Sequence, residues 1–177
     1  VRIQLPGDGS AAGIRQYGLG FIQGKHYTGR IVISGENSSL PVMIRLQSES
    51  GSIEIPVEEI GPDYRTFSFE FESSFSSENV SLEISSEGAG QFTIGTLSLM
   101  PADHLKGWRK DVVALMKELE SPVYRWPGGN FVSGYNWRDG IGERDKRPPR
   151  KNPAWKGVES NDVGIHEYME LMEMLDA

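Results

Sequence analysis

The stretch RWPGGNFVSGYNWRDGIG, residues 125–142, decides how the second half of the chain folds. It holds five glycines together with two tryptophans, a tyrosine and a phenylalanine. A core strand would not carry so many permissive backbone positions, and an ordinary surface loop would be shorter and less aromatic. The residues alone leave two alternatives open, a ligand site at the end of a strand or a structural loop.

Helical patterns lie on both sides of this stretch. Apolar residues recur at helical spacing before it and after it, namely Trp108, Val112, Leu115, Met116 and Leu119, then Ile165, Tyr168, Met169, Met172 and Leu175. The run Pro122–Trp126 predicts a short strand that leads into the glycines. Helix, strand, loop and helix follow each other as in a parallel α/β unit, whose binding residues lie on the loops after the strands. Since residues 101–177 show only one such strand, the unit is predicted to be incomplete.

The first hundred residues have a different period. Apolar residues alternate with polar ones in three runs, which predicts half-buried antiparallel strands: Val42, Ile44 and Leu46; Phe67, Phe69 and Phe71; Val80, Leu82 and Ile84. Segments such as GENSS, residues 35–39, separate the runs as turns. The alternation slips in QFTIGTLSL, residues 91–99, which predicts a bulge or kink at Gly95. This half is predicted to be an antiparallel β-sandwich.

Composition and charge limit the classes of function. A chain of 177 residues with 37% hydrophobic content is suited to one large or two small folded domains. Its formal net charge of −7 argues against nucleic-acid binding. No apolar run is long enough to span a membrane, and the start VRIQLPGDGS lacks a signal-peptide pattern. The compartment is left open between extracellular or periplasmic and cytoplasmic.

The sequence contains no motif typical of a metal site or a nucleotide site. The chain has no cysteine, and His26, His104 and His166 lack metal-ligand spacing. Neither a GxGxxG nor a GxxxxGK[ST] pattern occurs. We therefore expect no metal and no cofactor.

Within the quoted stretch, Gly128 and Gly129 allow a sharp turn, Asn130 offers a donor and an acceptor, and Arg125 offers a planar fork for carboxylates. The aromatic residues Trp126, Tyr135 and Trp137 are suited either to stacking on sugar rings or to filling the interior of a domain.

Two further segments favour structural roles. DKRPPRKNPAW, residues 145–155, is predicted to be a solvated loop in which Trp155 covers a neighbouring feature. ESNDVG, residues 159–164, offers Ser160, Asn161 and Asp162 as caps for the last helix. Glu159 has no second carboxylate at a spacing that would support glycosidase chemistry.

The ordered run from about Ser98 to the end, with RWPGGNFVSGYNWRDGIG as its most specific part and ESNDVGIHEYMELM closing it, closely resembles the early catalytic domain of α-L-arabinofuranosidases of glycoside hydrolase family 51. Residues 1 to about 97 are similar to the carbohydrate-binding-module-like β-sandwich of some members. The resemblance implies a jelly-roll-like sandwich over residues 1–100 and the incomplete start of a (β/α)8 barrel over residues 101–177.

The resemblance also implies an activity, the release of terminal arabinofuranose from arabinan or arabinoxylan with retention of configuration. It places the family's two catalytic glutamates after the fourth and seventh barrel strands, so neither has a counterpart among the 177 residues and the chain alone is predicted to be inactive. What it assigns here is substrate binding, to Arg125, Gly129, Asn130 and Trp155. The implied partners are an arabinose-containing polysaccharide or oligosaccharide and the remainder of the barrel, and the family allows homo-oligomers.

Two alternatives remain at this point. The β-rich half could bind polysaccharide without any hydrolysis, with Tyr17, Phe21, Tyr27 and Tyr64 as candidates. It could also serve purely as a packing or oligomerisation domain.

Overall fold

The computed structural model describes residues 1–35, 41–58, 60–152 and 154–177. The chain divides into two compact units, Val1–Asp103 and His104–Ala177. Among its described residues, the first unit contains six strands: β1 Arg2–Phe21, β2 His26–Gly35, β3 Val42–Ser48, β4 Gly51–Val57, β5 Arg65–Glu72 and β6 Ser77–Pro101. The second contains α1 Lys110–Glu118, 3-10 turns at Gly129–Gly134, Trp137–Gly140 and Arg144–Lys146, the short strands β7 Arg150–Lys151 and β8 Val158–Glu159, and α2 Ile165–Leu175.

Strand β6 organises the first unit. It pairs with β1 along one edge, and along the other edge it pairs first with β3 and then with β2. The order across the sheet is β4-β3-β6-β2-β5, with every pair antiparallel. Residues from all six strands pack into one hydrophobic core. The strands therefore enclose one core between two layers of the sheet, as the predicted sandwich requires.

The alternation predicted from sequence is confirmed in β3, β5 and β6. Val42, Ile44 and Leu46 are buried, as are Phe69 and the set Val80, Leu82 and Ile84. Phe67 and Phe71 are half-buried against the same core. The register between β2 and β6 skips one residue, Gly95, because Val32 pairs with Thr96 and Ile33 with Ile94, which confirms the predicted bulge. The turn predicted at GENSS lies outside the described residues except for Gly35.

Replacing Ile44 with valine should test this core. Ile44 is fully buried between β4 and β6, so removal of one methylene is expected to cost the first unit about 1 kcal/mol. Amide hydrogen exchange in β3 and β6 measures this loss. Ile22→Val is the matched control, because Ile22 is 59% exposed and its change should stay within about 0.5 kcal/mol. Equal losses in both variants would contradict the assigned core.

The two predicted helices of the second unit are present, although the buried face of α1 differs from the predicted one. Val113 is buried in α1, and Leu115 and Leu119 are largely exposed. In α2, Leu171 and Met172 are buried, with Tyr168 and Leu175 packed against them. Helical spacing thus located both helices, whereas the face of α1 is set by its contacts with α2 and Tyr124.

The strand predicted at Pro122–Trp126 is wrong. These residues are not in a strand and pair with none of the described residues. A strand exists only through hydrogen bonds to a neighbour, and the second unit offers no ladder among its described residues beyond the two-residue pairing of β7 with β8. Val123 is accordingly 75% exposed.

Candidate functional site

The four residues that the sequence assigns to substrate binding lie on an exposed surface of the second unit. Arg125, Gly129, Asn130 and Trp155 are all exposed. A Cβ built on Gly129 would lie 3.7 Å from the Trp155 ring, and one built on Gly128 would lie 3.6 Å from the Arg125 guanidinium. The Trp155 ring therefore lies against the turn at Gly129, and the Arg125 guanidinium lies against Gly128. We call Arg125, Gly129, Asn130 and Trp155 the glycine–tryptophan wall.

Local backbone chemistry fixes the two sides of this wall. Gly129 opens a 3-10 turn with φ of +63°, a left-handed conformation that glycine adopts without strain. On the other side, Oδ1 of Asn152 accepts hydrogen bonds from the N–H groups of Ala154 and Trp155, at 2.9 and 2.8 Å. Such an Asx turn holds the chain that presents the Trp155 ring.

The aromatic residues of the quoted stretch divide between interior and surface. Trp126 packs between Tyr135 and Tyr168, with ring centroids 5.4 and 5.6 Å apart. Trp137 is 52% exposed and carries the Arg138 guanidinium 4.8 Å from its ring centroid. Trp126 thus anchors the stretch to α2 through Tyr168.

A cleft of about 350 Å³ opens next to the same 3-10 turn. Phe131 and Tyr135 supply its aromatic lining, and Asn136, Asp139, Arg150 and Glu159 contribute polar groups. Arg150 donates to both carboxylate oxygens of Asp139, at 2.8 and 3.2 Å. These bonds lower the pKa of Asp139 against the opposing effect of burial. Burial, followed by the negative charge of Glu159, raises the pKa of Tyr135, so its hydroxyl remains protonated at neutral pH.

Arg147 is a structural residue that the sequence did not reveal. The segment 145–155 was predicted to be a solvated loop, yet the Arg147 side chain is only 2% exposed. It forms a bidentate pair with the Glu167 carboxylate, at 2.8 and 2.9 Å. It also donates to the carbonyl oxygens of Gly142, Asn161 and Asp162. Arg147 therefore ties the loops beside the cleft to α2.

The predicted cap of α2 is also wrong. Gly164, and none of Ser160, Asn161 or Asp162, occupies the N-cap position, and the Glu167 carboxylate accepts the Gly164 N–H at 2.8 Å. Gly164 lies so close to Gly140 that an added Cβ would overlap the Gly140 carbonyl oxygen. Asn161 is instead buried and donates its side-chain amide to the Pro148 carbonyl at 2.7 Å.

Within the described ranges, no group of three or more potential metal-ligating side chains converges. Among the same residues, no helix is long and apolar enough to cross a membrane.

Comparison with known proteins connects this architecture to one class of enzyme. Residues 115–177 match the family model described as the alpha-L-arabinofuranosidase 1 domain. The chain is 47% identical over 72 residues to an intracellular exo-alpha-(1->5)-L-arabinofuranosidase of Halalkalibacterium halodurans, a match that covers 41% of this chain and 14% of that protein. It is 54% identical over 67 residues to an exo-alpha-(1->6)-L-arabinofuranosidase of Bifidobacterium longum, covering 38% of this chain and 13% of that protein. Each match thus spans about one seventh of its relative's length.

A solved structure matches both units. An arabinose-bound family 51 α-L-arabinofuranosidase superposes with a TM-score of 0.81 at 18% identity, over 97% of this chain and 31% of that one. This likeness confirms the predicted fold class, a β-sandwich followed by part of a (β/α)8 barrel.

Residues 115–177 are therefore similar to a domain of glycoside hydrolases, and the chain shares the fold of the matched part of the family 51 structure. The similarity of residues 115–177 to α-L-arabinofuranosidases agrees with the resemblance carried by the motifs at residues 125–142 and 159–172.

Proposed function

We propose that this chain is part of a retaining α-L-arabinofuranosidase that releases terminal arabinofuranose from arabinan or arabinoxylan. The observation that carries the proposal is the glycine–tryptophan wall, which lies inside the segment matched by the arabinofuranosidase family model. The relatives named above act on α-(1->5) and α-(1->6) linkages, so the proposal commits to the arabinofuranosyl unit and to no particular linkage.

Each residue of the wall has a proposed role. Asn130 follows the left-handed Gly129 on an exposed turn, where its amide can both donate to and accept from sugar hydroxyls. Trp155 presents a ring that is 57% exposed and is suited to flanking the apolar face of a sugar. Arg125 lies against Gly128 and orders the turn.

The chemistry itself needs groups beyond this wall. Retaining glycosidases use two carboxyl groups about 5 Å apart, one as nucleophile and one as acid and then base. From the family resemblance, we propose that both carboxyl groups come from residues outside this 177-residue sequence. The 177-residue chain by itself should then show no turnover of an aryl α-L-arabinofuranoside, and the longer protein that includes it should hydrolyse the same substrate with retention.

Replacing Trp155 with alanine in that longer protein should lower kcat/KM for an arabino-oligosaccharide by roughly tenfold, because a stacking surface for the sugar is lost. Trp137→Ala is the matched control, since Trp137 has a similar exposure but stacks with Arg138. Its kcat/KM should change less than about twofold. Steady-state hydrolysis measures both, and equal losses would argue against a substrate-binding role for Trp155.

A carbohydrate-binding role for the first unit is the second candidate. Of its four aromatic candidates, Phe21 and Tyr27 are buried in the core, whereas Tyr17 and Tyr64 are more than half exposed. Tyr17 lies beside Arg15 on β1. Ion pairs continue from Arg15 across β6, β3 and β4, in the order Arg15, Glu83, Arg45 and Glu54. Retardation of the chain in arabinoxylan gels, abolished by Tyr17→Ala, would favour this candidate.

A further inference from the structure

The cleft beside the 3-10 turn has features of a ligand site that the proposed hydrolysis does not use. Its volume of about 350 Å³ falls within the range of small-molecule sites. Phe131 and Tyr135 supply ring surfaces, and polar groups from β7 and β8 complete the lining. None of the four residues of the glycine–tryptophan wall lines it.

The charges around the cleft balance. Arg150 and Lys151 carry positive charge on β7, and Asp139 and Glu159 carry negative charge across from them. Arg150 and Asp139 neutralise each other in a bidentate pair. A ligand with a net charge would therefore meet as much repulsion as attraction, and the lining favours a neutral ligand.

Two polar groups of the lining keep free hydrogen-bonding capacity. One Glu159 oxygen accepts the Asn161 N–H at 3.1 Å, and the other has no hydrogen bond within the part of the chain that the structure describes. Lys151 is exposed, and its ammonium has no hydrogen bond to any other residue of that part of the chain. An acceptor and a donor on adjacent strands, with aromatic rings beside them, are complementary to a compact molecule that carries several hydroxyl groups on an apolar ring.

We propose that this cleft is a binding site for one neutral sugar ring of pentose or hexose size, separate from the glycine–tryptophan wall. Phe131 and Tyr135 contact the C–H face of the ring, while Glu159 accepts from a sugar hydroxyl and Lys151 donates to another. The site goes beyond the proposed hydrolase function, because it requires no reaction and no catalytic carboxylates.

Titration of the ¹⁵N-labelled 177-residue chain with L-arabinose, followed by amide chemical shifts, tests the proposal. We expect saturable shifts at residues 134–136, 139, 151 and 159–161. Lys151→Ala and Glu159→Gln should each weaken binding about tenfold, since each removes one charged hydrogen-bonding group. Lys151 is exposed on a surface strand, so its variant keeps the test valid even if Glu159→Gln disturbs the fold.

Two controls separate this site from the wall and define its ligand class. Trp155→Ala should leave the shifts at the cleft unchanged, so the cleft and the proposed hydrolase function can fail independently. D-Galacturonate, a sugar ring with a carboxylate, should bind at least about tenfold more weakly than L-arabinose. Absence of saturation, shifts confined to residues 125–130 and 155, or tighter binding of galacturonate would each overturn the proposal.

Discussion

Arg147→Met should destabilise the second unit by about 3–5 kcal/mol, a large share of the stability of any single domain. The Arg147 side chain is 2% exposed and its partner Glu167 is 10% exposed. Removal of the guanidinium leaves the Glu167 carboxylate buried with its main counter-charge gone. It also frees the carbonyl oxygens of Gly142 and Asn161, which lie on the two loops that Arg147 joins.

All four tryptophans lie between residues 108 and 155, so tryptophan fluorescence during urea unfolding reports on the second unit alone. The matched control is Arg109→Met. Arg109 also forms a bidentate pair, with Asp111, but both side chains are more than 60% exposed, so its loss should cost about 0–1 kcal/mol. If both variants unfold at the same urea concentration, the buried pair does not stabilise the unit as the geometry indicates.

The sequence predicted the elements that depend on local periodicity. Alternation located β3, β5 and β6 because a strand with one face in the core repeats every two residues. The slip at Gly95 was visible because a bulge shifts that period by one residue. Helical spacing likewise located α1 and α2, since both bury one side against each other.

The sequence did not predict features that depend on contacts between loops far apart along the chain. Arg147 meets Glu167 twenty residues later along the chain, and no local pattern marks either residue of such a pair. The three polar residues before α2 were predicted as N-cap candidates, but the close approach of Gly164 to Gly140 determines where the helix begins. The quoted stretch did contain Tyr135, Asn136 and Asp139 of the cleft, whereas Glu159 and Asn161 were assigned a local role at the helix end.

The strand predicted at Pro122–Trp126 failed for a related reason. Its composition favours an extended conformation, but a strand also needs a neighbour, and none of the described residues of the second unit supplies one.

The same buried pair should make the second unit sensitive to acid. Burial by itself raises the pKa of Glu167, but hydrogen bonds from Arg147 and from the Gly164 N–H outweigh it and lower the pKa to about 2, from an ordinary value of 4.5. Above pH 4.5 the carboxylate is charged in both the folded and the unfolded chain, and the stabilisation is complete. As the pH falls from 4.5 towards 2, the unfolded chain binds the proton first, and about 3 kcal/mol of stability is lost.

Urea unfolding by tryptophan fluorescence at pH 6 and at pH 3 should reveal this loss as a lower free energy of unfolding at pH 3. Glu167→Gln should be less stable at pH 6, because the ion pair is gone, and should lose much less on acidification, because the titrating group is gone. Glu170→Gln is the matched control on the same helix, since Glu170 is 40% exposed and pairs with Lys106; it should keep the pH dependence of the unchanged chain. The pKa values of Asp111 and Asp139 are lowered by Arg109 and Arg150, so these two groups also make the free energy of unfolding depend on pH. Their contribution is smaller and is the same in the unchanged chain and in both variants. If Glu167→Gln retained the full pH dependence, the acid sensitivity would have to arise from Asp111 and Asp139, and Glu167 would not be the group that links protonation to the fold beside the cleft.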